Sequence, residues 1–248
     1  MRDILLLNPN TSTATTAMMV RLAALAAPPG WRVRGATAGD GPGMIVDEAE
    51  LERSAVEVER SWRADAQAVA TPVAGVIVGA FGDPGIGRLR AISAVPVVGL
   101  CESSMHEAAA GGRRFGIATV TPGLVRAIDG LARAHGFASL YTGIRLTPGE
   151  PRALAADPRA LEDALGEAVV RCIERDGAEA VIIGGGPLGQ AAAALGARFA
   201  VPVIAPIAAA VRRLTSAVDG AFRQAPVCGP DSGDTPYTDP RPDLPDAY

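Results

Sequence analysis

The two halves of the chain repeat the same order of short apolar segments. In the first half the segments cover residues 4–11, 75–82 and 95–99, and in the second half they cover residues 115–122, 180–186 and 201–205. Matching segments lie about 105–110 residues apart, a spacing that indicates a duplicated α/β unit and not a short solenoid repeat. We therefore predict two similar halves that face each other across one cleft.

The apolar runs alternate with segments that have helical spacing. The runs end in Gly, Asn or Pro, as is typical of strands buried on both faces of a parallel sheet. The helical segments are residues 13–26, 47–69, 103–110, 124–135, 158–175, 190–199 and 208–222. This alternation predicts an α/β fold of two pseudo-symmetric three-layer αβα domains with mainly parallel sheets. We expect one domain from residues 1–97 with about 208–223, and the other from residues 98–207.

Composition and charge exclude several classes of function. Of the 248 residues, 48% are hydrophobic and 20% are charged, which is enough to bury one large core or two coupled cores. A net charge of -4 without a basic run gives no reason to expect nucleic acid as a partner. Prolines and glycines interrupt every apolar stretch, so no membrane span is expected, and three cysteines without metal spacing suit a reducing compartment. We expect a cytoplasmic homo-oligomer that acts on a small molecule.

The candidate site residues follow the predicted strands, because ligands of open parallel sheets bind beyond the carboxyl ends of the strands. The candidates for substrate binding are Asn10, Thr11, Ser12, Ala80, Phe81, Thr119, Val120, Thr121, Gly185, Gly186 and Pro187. They offer hydroxyl, amide and backbone groups and no cation. Such a set suits a small carbonyl, carboxylate or imide ligand held by hydrogen-bond donors at helix N-termini.

Two strings of the sequence are fairly specific, namely Asn8-Pro9-Asn10-Thr11-Ser12 and Phe81-Gly82-Asp83-Pro84-Gly85. With Glu102-Ser103, Thr119-Val120 and residues 201–204 after them, the chain resembles the aspartate/glutamate racemase superfamily over about residues 4–217. The resemblance is specifically to its hydantoin and allantoin racemase branch. It implies two pseudo-symmetric α/β domains, an active site between them, and neither cofactor nor metal. It also implies proton transfer at a carbon next to a carbonyl, by one cysteine from each half.

This chain departs from the family pattern at both cysteine positions. The resemblance places the first catalytic cysteine at Ala80 and the second at Gly185. Neither replacement ionises, whereas racemisation by two bases needs a proton donor and an acceptor on opposite faces of the substrate. We therefore expect a mechanism without the usual cysteine pair, and more room for a substituent on the two faces.

Cys101 and Glu102 are the candidate catalytic residues. Cys101 has the right chemistry at a strand end, although free cysteines are commonly buried and inert. Glu102 would act as a base if burial raised its pKa, but it also suits a role as the cap of the next helix. Asp83 fits turn chemistry, and His106 and His135 fit packing or surface positions on helices.

Three classes of function follow from these residues. The first is a cofactor-independent racemase or epimerase of a cyclic amide such as a hydantoin, allantoin or a cyclic dipeptide. The second is a lyase, such as a decarboxylase, or another isomerase that uses the same enolate-stabilising groups, and the third is a non-catalytic binder. Retention of the whole donor set favours an enzyme, because a ring Cα–H between amide groups is already acidic, and we rank the first class ahead. Gly184-x-Gly186-x-x-Gly189 formally matches a dinucleotide-binding string, but the expected acidic residue about 20 positions later is absent.

Residues 224–248 are rich in Pro and Asp and nearly free of large apolar residues, which predicts a disordered tail. Removal of the residues after about Arg223 should leave folding intact, because the tail carries too little apolar surface to order itself. Thermal unfolding of the truncated and full-length chains should give the same melting temperature. A large fall in Tm on truncation would show that the tail docks on the rest of the protein.

Overall fold

Two parallel sheets of four strands each, one in each half of the chain, organise the fold. We describe the protein from a computed structural model over residues 1–68 and 72–220. The predicted tail at residues 224–248 lies outside the described residues. Within them, no helix is long and apolar enough to cross a membrane.

The first sheet has the strand order β2-β1-β3-β4. Its strands and helices are β1 (Arg2–Asn8), α1 (Thr13–Ala26), β2 (Trp31–Thr37), α2 (Glu48–Ala68), β3 (Gly75–Val78), α3 (Ile86–Ile92) and β4 (Val97–Gly99). The apolar run in β1 is fully buried, and Ser12 begins α1 by accepting a hydrogen bond from the Thr15 N–H.

The second sheet repeats this arrangement with the order β6-β5-β7-β8. Its elements are α4 (Leu100–Ala108), β5 (Phe115–Thr119), α5 (Val125–Ala134), β6 (Tyr141–Leu146), α6 (Pro151–Ala156), α7 (Pro158–Glu174), β7 (Ala180–Ile183), α8 (Gly189–Leu195), β8 (Val203–Ile204) and α9 (Pro206–Val218). Every strand pair in both sheets is parallel. The predicted α/β class with two similar parallel sheets is confirmed.

Four elements were not predicted. The strands β2 and β6 lie at the edges of their sheets and are mostly only half-buried, so their sequences lack the continuous apolar run of an inner strand. The helices α3 and α6 have only seven and six residues, which is too short for a helical period to stand out.

One apolar core connects the two sheets. It joins Ile77 and Val98 of the first sheet to Phe115 and Ile182 of the second without a break. The last helix, α9, returns to pack against β3 and β4, and an added Cβ at Gly75 would lie only 2.6 Å from Leu214 Cδ1 of that helix. The carboxyl ends of the strands of both sheets are therefore held at one place. The predicted domain boundaries stay a prediction.

Candidate active site

A pocket lies between the carboxyl ends of the two sheets, as the strand-end argument predicts. The cavity has a volume of about 40 Å³. Its walls are formed by Asn10, Met44, Ile45, Gly79, Ala80, Phe81, Val120, Thr121, Leu124, Gly184, Gly185, Gly186 and Leu188. Both halves contribute to the pocket, and none of the described lining residues has an ionisable side chain.

Most of the predicted binding residues line this pocket, and four apolar residues from outside that list join them. The predicted residues Thr11, Ser12 and Thr119 are not among the lining residues, and Pro187 belongs to the short 3₁₀ turn Gly186–Leu188. The additional apolar residues are Met44, Ile45, Leu124 and Leu188. Met44 and Ile45 follow β2, so the strand-end rule would have found them had that edge strand been predicted.

Asn10 is held by a network of hydrogen bonds at the end of β1. Its Oδ1 accepts from Asn8 Nδ2 at 2.8 Å and from the Ser12 N–H at 2.9 Å. Asn8 Nδ2 also donates to Thr16 Oγ1 at 2.9 Å, which fixes the Asn8 amide. Because the amide oxygen of Asn10 is occupied on the protein side, its NH₂ group is the part that can donate to a ligand.

Thr121 offers the pocket a hydrogen-bond acceptor, whereas Asn10 offers a donor. Thr119 is fully buried, and its hydroxyl donates to the Gly184 carbonyl at 2.6 Å. A hydroxyl has one proton, so in the 3.2 Å contact between the two threonine hydroxyls Thr121 is the donor. The lone pairs of Thr121 Oγ1 are then left to accept a hydrogen bond. The pocket thus presents a donor from the first half and an acceptor from the second.

Asp83 fixes the turn that carries Ala80 and Phe81. It has a positive φ of 49°, and its carboxylate accepts from the N–H groups of Cys101 and Glu102, each at 2.8 Å. These contacts tie the turn to the first turn of α4. Burial, and next the charge of Glu102, raise the pKa of Asp83 to about 7. Asp83 lies in a turn, as expected, but its carboxylate accepts from the backbone of α4 and not from that of its own turn.

The two predicted catalytic side chains lie behind this turn. Cys101 is fully buried in the core, and burial and the charge of Asp83 raise its thiol pKa well above the ordinary value. Glu102 accepts from the Gly99 N–H at 3.2 Å and from Arg90 at 2.6 Å, which suits a helix cap. Neither residue is among those that line the pocket. Their catalytic roles stay a prediction.

The two histidines are placed away from the pocket. The His106 ring packs edge-on against Phe137 with a centroid distance of 4.9 Å, and it lies 6.1 Å from the ring of His135. Burial, and next the charge of Arg213, lower the pKa of His106 to about 4. Within residues 1–68 and 72–220, no three His, Cys, Asp or Glu side chains group so that they could hold a metal ion.

Comparison with known protein families gives a match over most of the chain. The pattern of the Asp/Glu/Hydantoin racemase family matches residues 4–214. The chain belongs to this family. A related protein, the hydantoin racemase of Paenarthrobacter aurescens, is 29% identical over 219 residues, which cover 87% of this chain and 90% of that protein.

Solved structures of racemases have the same fold over nearly the whole chain. The allantoin racemase from Klebsiella pneumoniae superposes with a TM-score of 0.84 at 28% identity, covering 91% of both chains. The allantoin racemase of Pseudomonas fluorescens gives a TM-score of 0.82 at 25% identity, covering 90% of this chain and 93% of that one. The sequence-based resemblance to hydantoin and allantoin racemases is confirmed at the level of the family.

Gly185 is the position to which that resemblance assigns the second cysteine. An added Cβ at Gly185 would lie 2.9 Å from both Cγ and Cδ1 of Leu188, so this leucine fills the space beside the glycine. The expectation of extra room does not hold on this face, because Leu188 packs into it. On the opposite face, Ala80 is 7% exposed and lines the pocket.

Replacement of Asp83 by alanine should destabilise the protein by about 2 kcal/mol, because two buried N–H groups at the start of α4 would lose their acceptor. Asp83→Asn is the matched variant: it keeps the size and tolerates the positive φ, but its one oxygen accepts from only one N–H group and its NH₂ donor faces the other, so it should also be destabilised. Urea unfolding measures both free energies. If Asp83→Ala were as stable as the parent protein, the carboxylate would not hold the turn.

Proposed function

We propose that this protein is a cofactor-independent isomerase of the racemase or epimerase type that acts on a small, neutral cyclic amide. The observation that carries the proposal is the pairing of a donor and an acceptor across the pocket. The Asn10 NH₂ group matches a carbonyl oxygen, and Thr121 Oγ1 matches an N–H. A ring amide or imide, as in a hydantoin, presents both a carbonyl oxygen and an N–H on one ring.

The absence of charge in the described pocket lining selects against free amino acids. A free amino acid brings a carboxylate and an ammonium group, and burying either without a partner costs several kcal/mol. Asn10 and Thr121 are 4% and 7% exposed, so water screens little of such a charge. A neutral ring avoids this cost. Membership in the Asp/Glu/Hydantoin racemase family supports the reaction type. The proposed substrate class is instead supported by the residues that line the pocket.

In the proposed reaction a proton leaves the ring carbon next to the carbonyl and returns to the opposite face. The Asn10 NH₂ group stabilises the enolate oxygen that forms when the proton leaves. A ring carbon flanked by amide groups is already acidified, so a weaker base suffices. The resemblance places non-ionising residues, Ala80 and Gly185, at the usual cysteine positions. Cys101, Glu102 or a bound water is therefore the proposed base that takes the proton, and a bound water on the opposite face is the proposed source of the proton that returns.

A second candidate function is binding of the same neutral ring without turnover. The specific observation in its favour is the pocket lining, in which no described side chain ionises. General acid and base catalysis needs a group that titrates near the working pH and contacts the proton. A binder would keep Asn10 and Thr121 and would need no such group.

Incubation in D₂O with 5-substituted hydantoins, allantoin and cyclic dipeptides separates these functions, with free Asp and Glu as charged controls. We expect deuterium at the ring carbon and loss of optical purity for a neutral ring, and no exchange for the free amino acids. Proton NMR and chiral chromatography provide the measurement. Release of carbon dioxide or formation of an alkene would point to a lyase instead, and thermal stabilisation without exchange would point to a binder.

Replacement of Cys101 tests the predicted thiol base. If the thiol moves the proton, Cys101→Ala and Cys101→Ser should both lower deuterium exchange at least ~10²-fold, since serine is far too weak an acid. Burial keeps the thiol protonated near neutral pH, so a rate that depends on the thiolate should still rise above pH 9. Full exchange in both variants would reject the thiol. Loss of exchange in Glu102→Gln would then indicate that the Glu102 carboxylate transfers the proton.

A further inference from the structure

We propose that residues 39–46, called the lid below, open to admit the substrate and that Met44 and Ile45 of the lid contact the substituent on its ring. The segment connects β2 to α2 and forms no helix or strand. Its two apolar side chains line the pocket. The identity of the substrate rests on the proposed function, whereas the movement of the lid does not.

Most of the described residues that line the pocket are buried. Thr121 and Leu124 on its wall are 7% and 4% exposed, and Leu188 is 1% exposed. Ile45 of the lid is 8% exposed and joins the main core. A ring-sized ligand therefore enters only after part of the wall has moved.

The continuous core opposes a movement that separates the two halves of the protein. The core runs from Ile77 and Val98 of the first sheet to Phe115 and Ile182 of the second, and each of these side chains is at most 1% exposed. Separation of the sheets would bring this apolar surface into water. Movement of the lid withdraws only Ile45 from this core and leaves the two sheets packed against each other.

Few contacts hold the lid down. The Thr11 N–H donates to the Pro42 carbonyl at 3.0 Å, and the Val46 N–H donates to Glu50 Oε2 at 2.8 Å. At the end of the lid, an isolated bridge pairs Asp47 with Gly123 of the second half. The same Glu50 carboxylate lies 3.5 Å from Arg152, so it links the lid to the second half. Glu50 therefore contacts both the lid and the second half of the protein.

The glycines of the lid are not all required by the closed arrangement. Gly41 has a φ of 111°, which favours glycine. At Gly39 and Gly43, by contrast, an added Cβ would meet no atom within 4 Å, and neither residue has a positive φ. Glycine at these two positions serves a second conformation of the segment, because it keeps the backbone adaptable.

The side chains around the lid define the substituent. Met44 and Ile45 face Leu124 and Leu188 in the same pocket, so the wall around the ring is apolar. Methionine adapts its shape to irregular partners. The lid therefore suits an apolar substituent of variable shape on the ring carbon.

Native-state hydrogen exchange tests the lid without any ligand. The Val46 amide should exchange at least ~10²-fold faster than the inner amides of β1, because it is released by a local opening. Glu50→Ala should speed its exchange at least ~10-fold through loss of the acceptor. Glu52→Ala, which removes the same charge from an exposed site on the same helix, should leave the rate within about twofold. Equal rates for Val46 and β1 would overturn the proposal.

The glycine variants provide a second, independent test. Gly39→Ala with Gly43→Ala should slow Val46 exchange about threefold or more, because alanine restricts the open lid. Gly87→Ala in α3 is the matched control, since an added Cβ there also meets no atom within 4 Å. An unchanged Val46 rate in the lid variant would contradict a role for these glycines in opening.

Binding of 5-isobutylhydantoin and unsubstituted hydantoin tests the contact with the substituent. Met44→Ala and Ile45→Ala should each weaken the substituted ring about tenfold and the bare ring little. Equal weakening of both rings would overturn the proposed contact. If neither ring binds the parent protein while Val46 still exchanges by local opening, the proposed substrate fails and the lid movement stands.

Discussion

The continuous apolar core between the two parallel sheets is the constraint on which the rest of the structure depends. Packing of Ile77 and Val98 against Phe115 and Ile182 fixes the sheets in one relative position. The carboxyl ends of the strands then meet, and the loops that follow them become the walls of one pocket. Duplication of the α/β unit therefore creates a site that neither half contains alone.

The chemistry of that site follows from which polar atoms the protein has already used. The Asn10 amide oxygen and the Thr119 hydroxyl are engaged by neighbouring groups, so the described side chains of the lining offer the Asn10 NH₂ group as a donor and the Thr121 hydroxyl oxygen as an acceptor. No described lining residue adds a charge. The Asp83 carboxylate follows a strand of the first sheet, but it accepts hydrogen bonds from the backbone of α4 and holds the turn in place. Under the proposed function, the polar atoms left over select a neutral ligand with a carbonyl group and an N–H.

Much of this arrangement could be predicted from the sequence, because strands buried on both faces leave continuous apolar runs. The strand-end rule then located Asn10 and Thr121. It failed for Met44 and Ile45, because the preceding edge strand is mostly half-buried and carries Arg32 and Arg34. It also could not give the direction of side chains. Cys101 follows a strand, but the first turn of α4 buries its side chain in the core.

The affinity of a neutral ring compared with that of its ring-opened form tests the account most directly. Calorimetric titration of 5-isobutylhydantoin and N-carbamoylleucine provides this comparison, since the two differ by one water and the second carries a carboxylate. The uncharged pocket predicts that the ring binds at least ~10²-fold more tightly, because the carboxylate would be buried without a partner. Equal or tighter binding of N-carbamoylleucine would contradict the account.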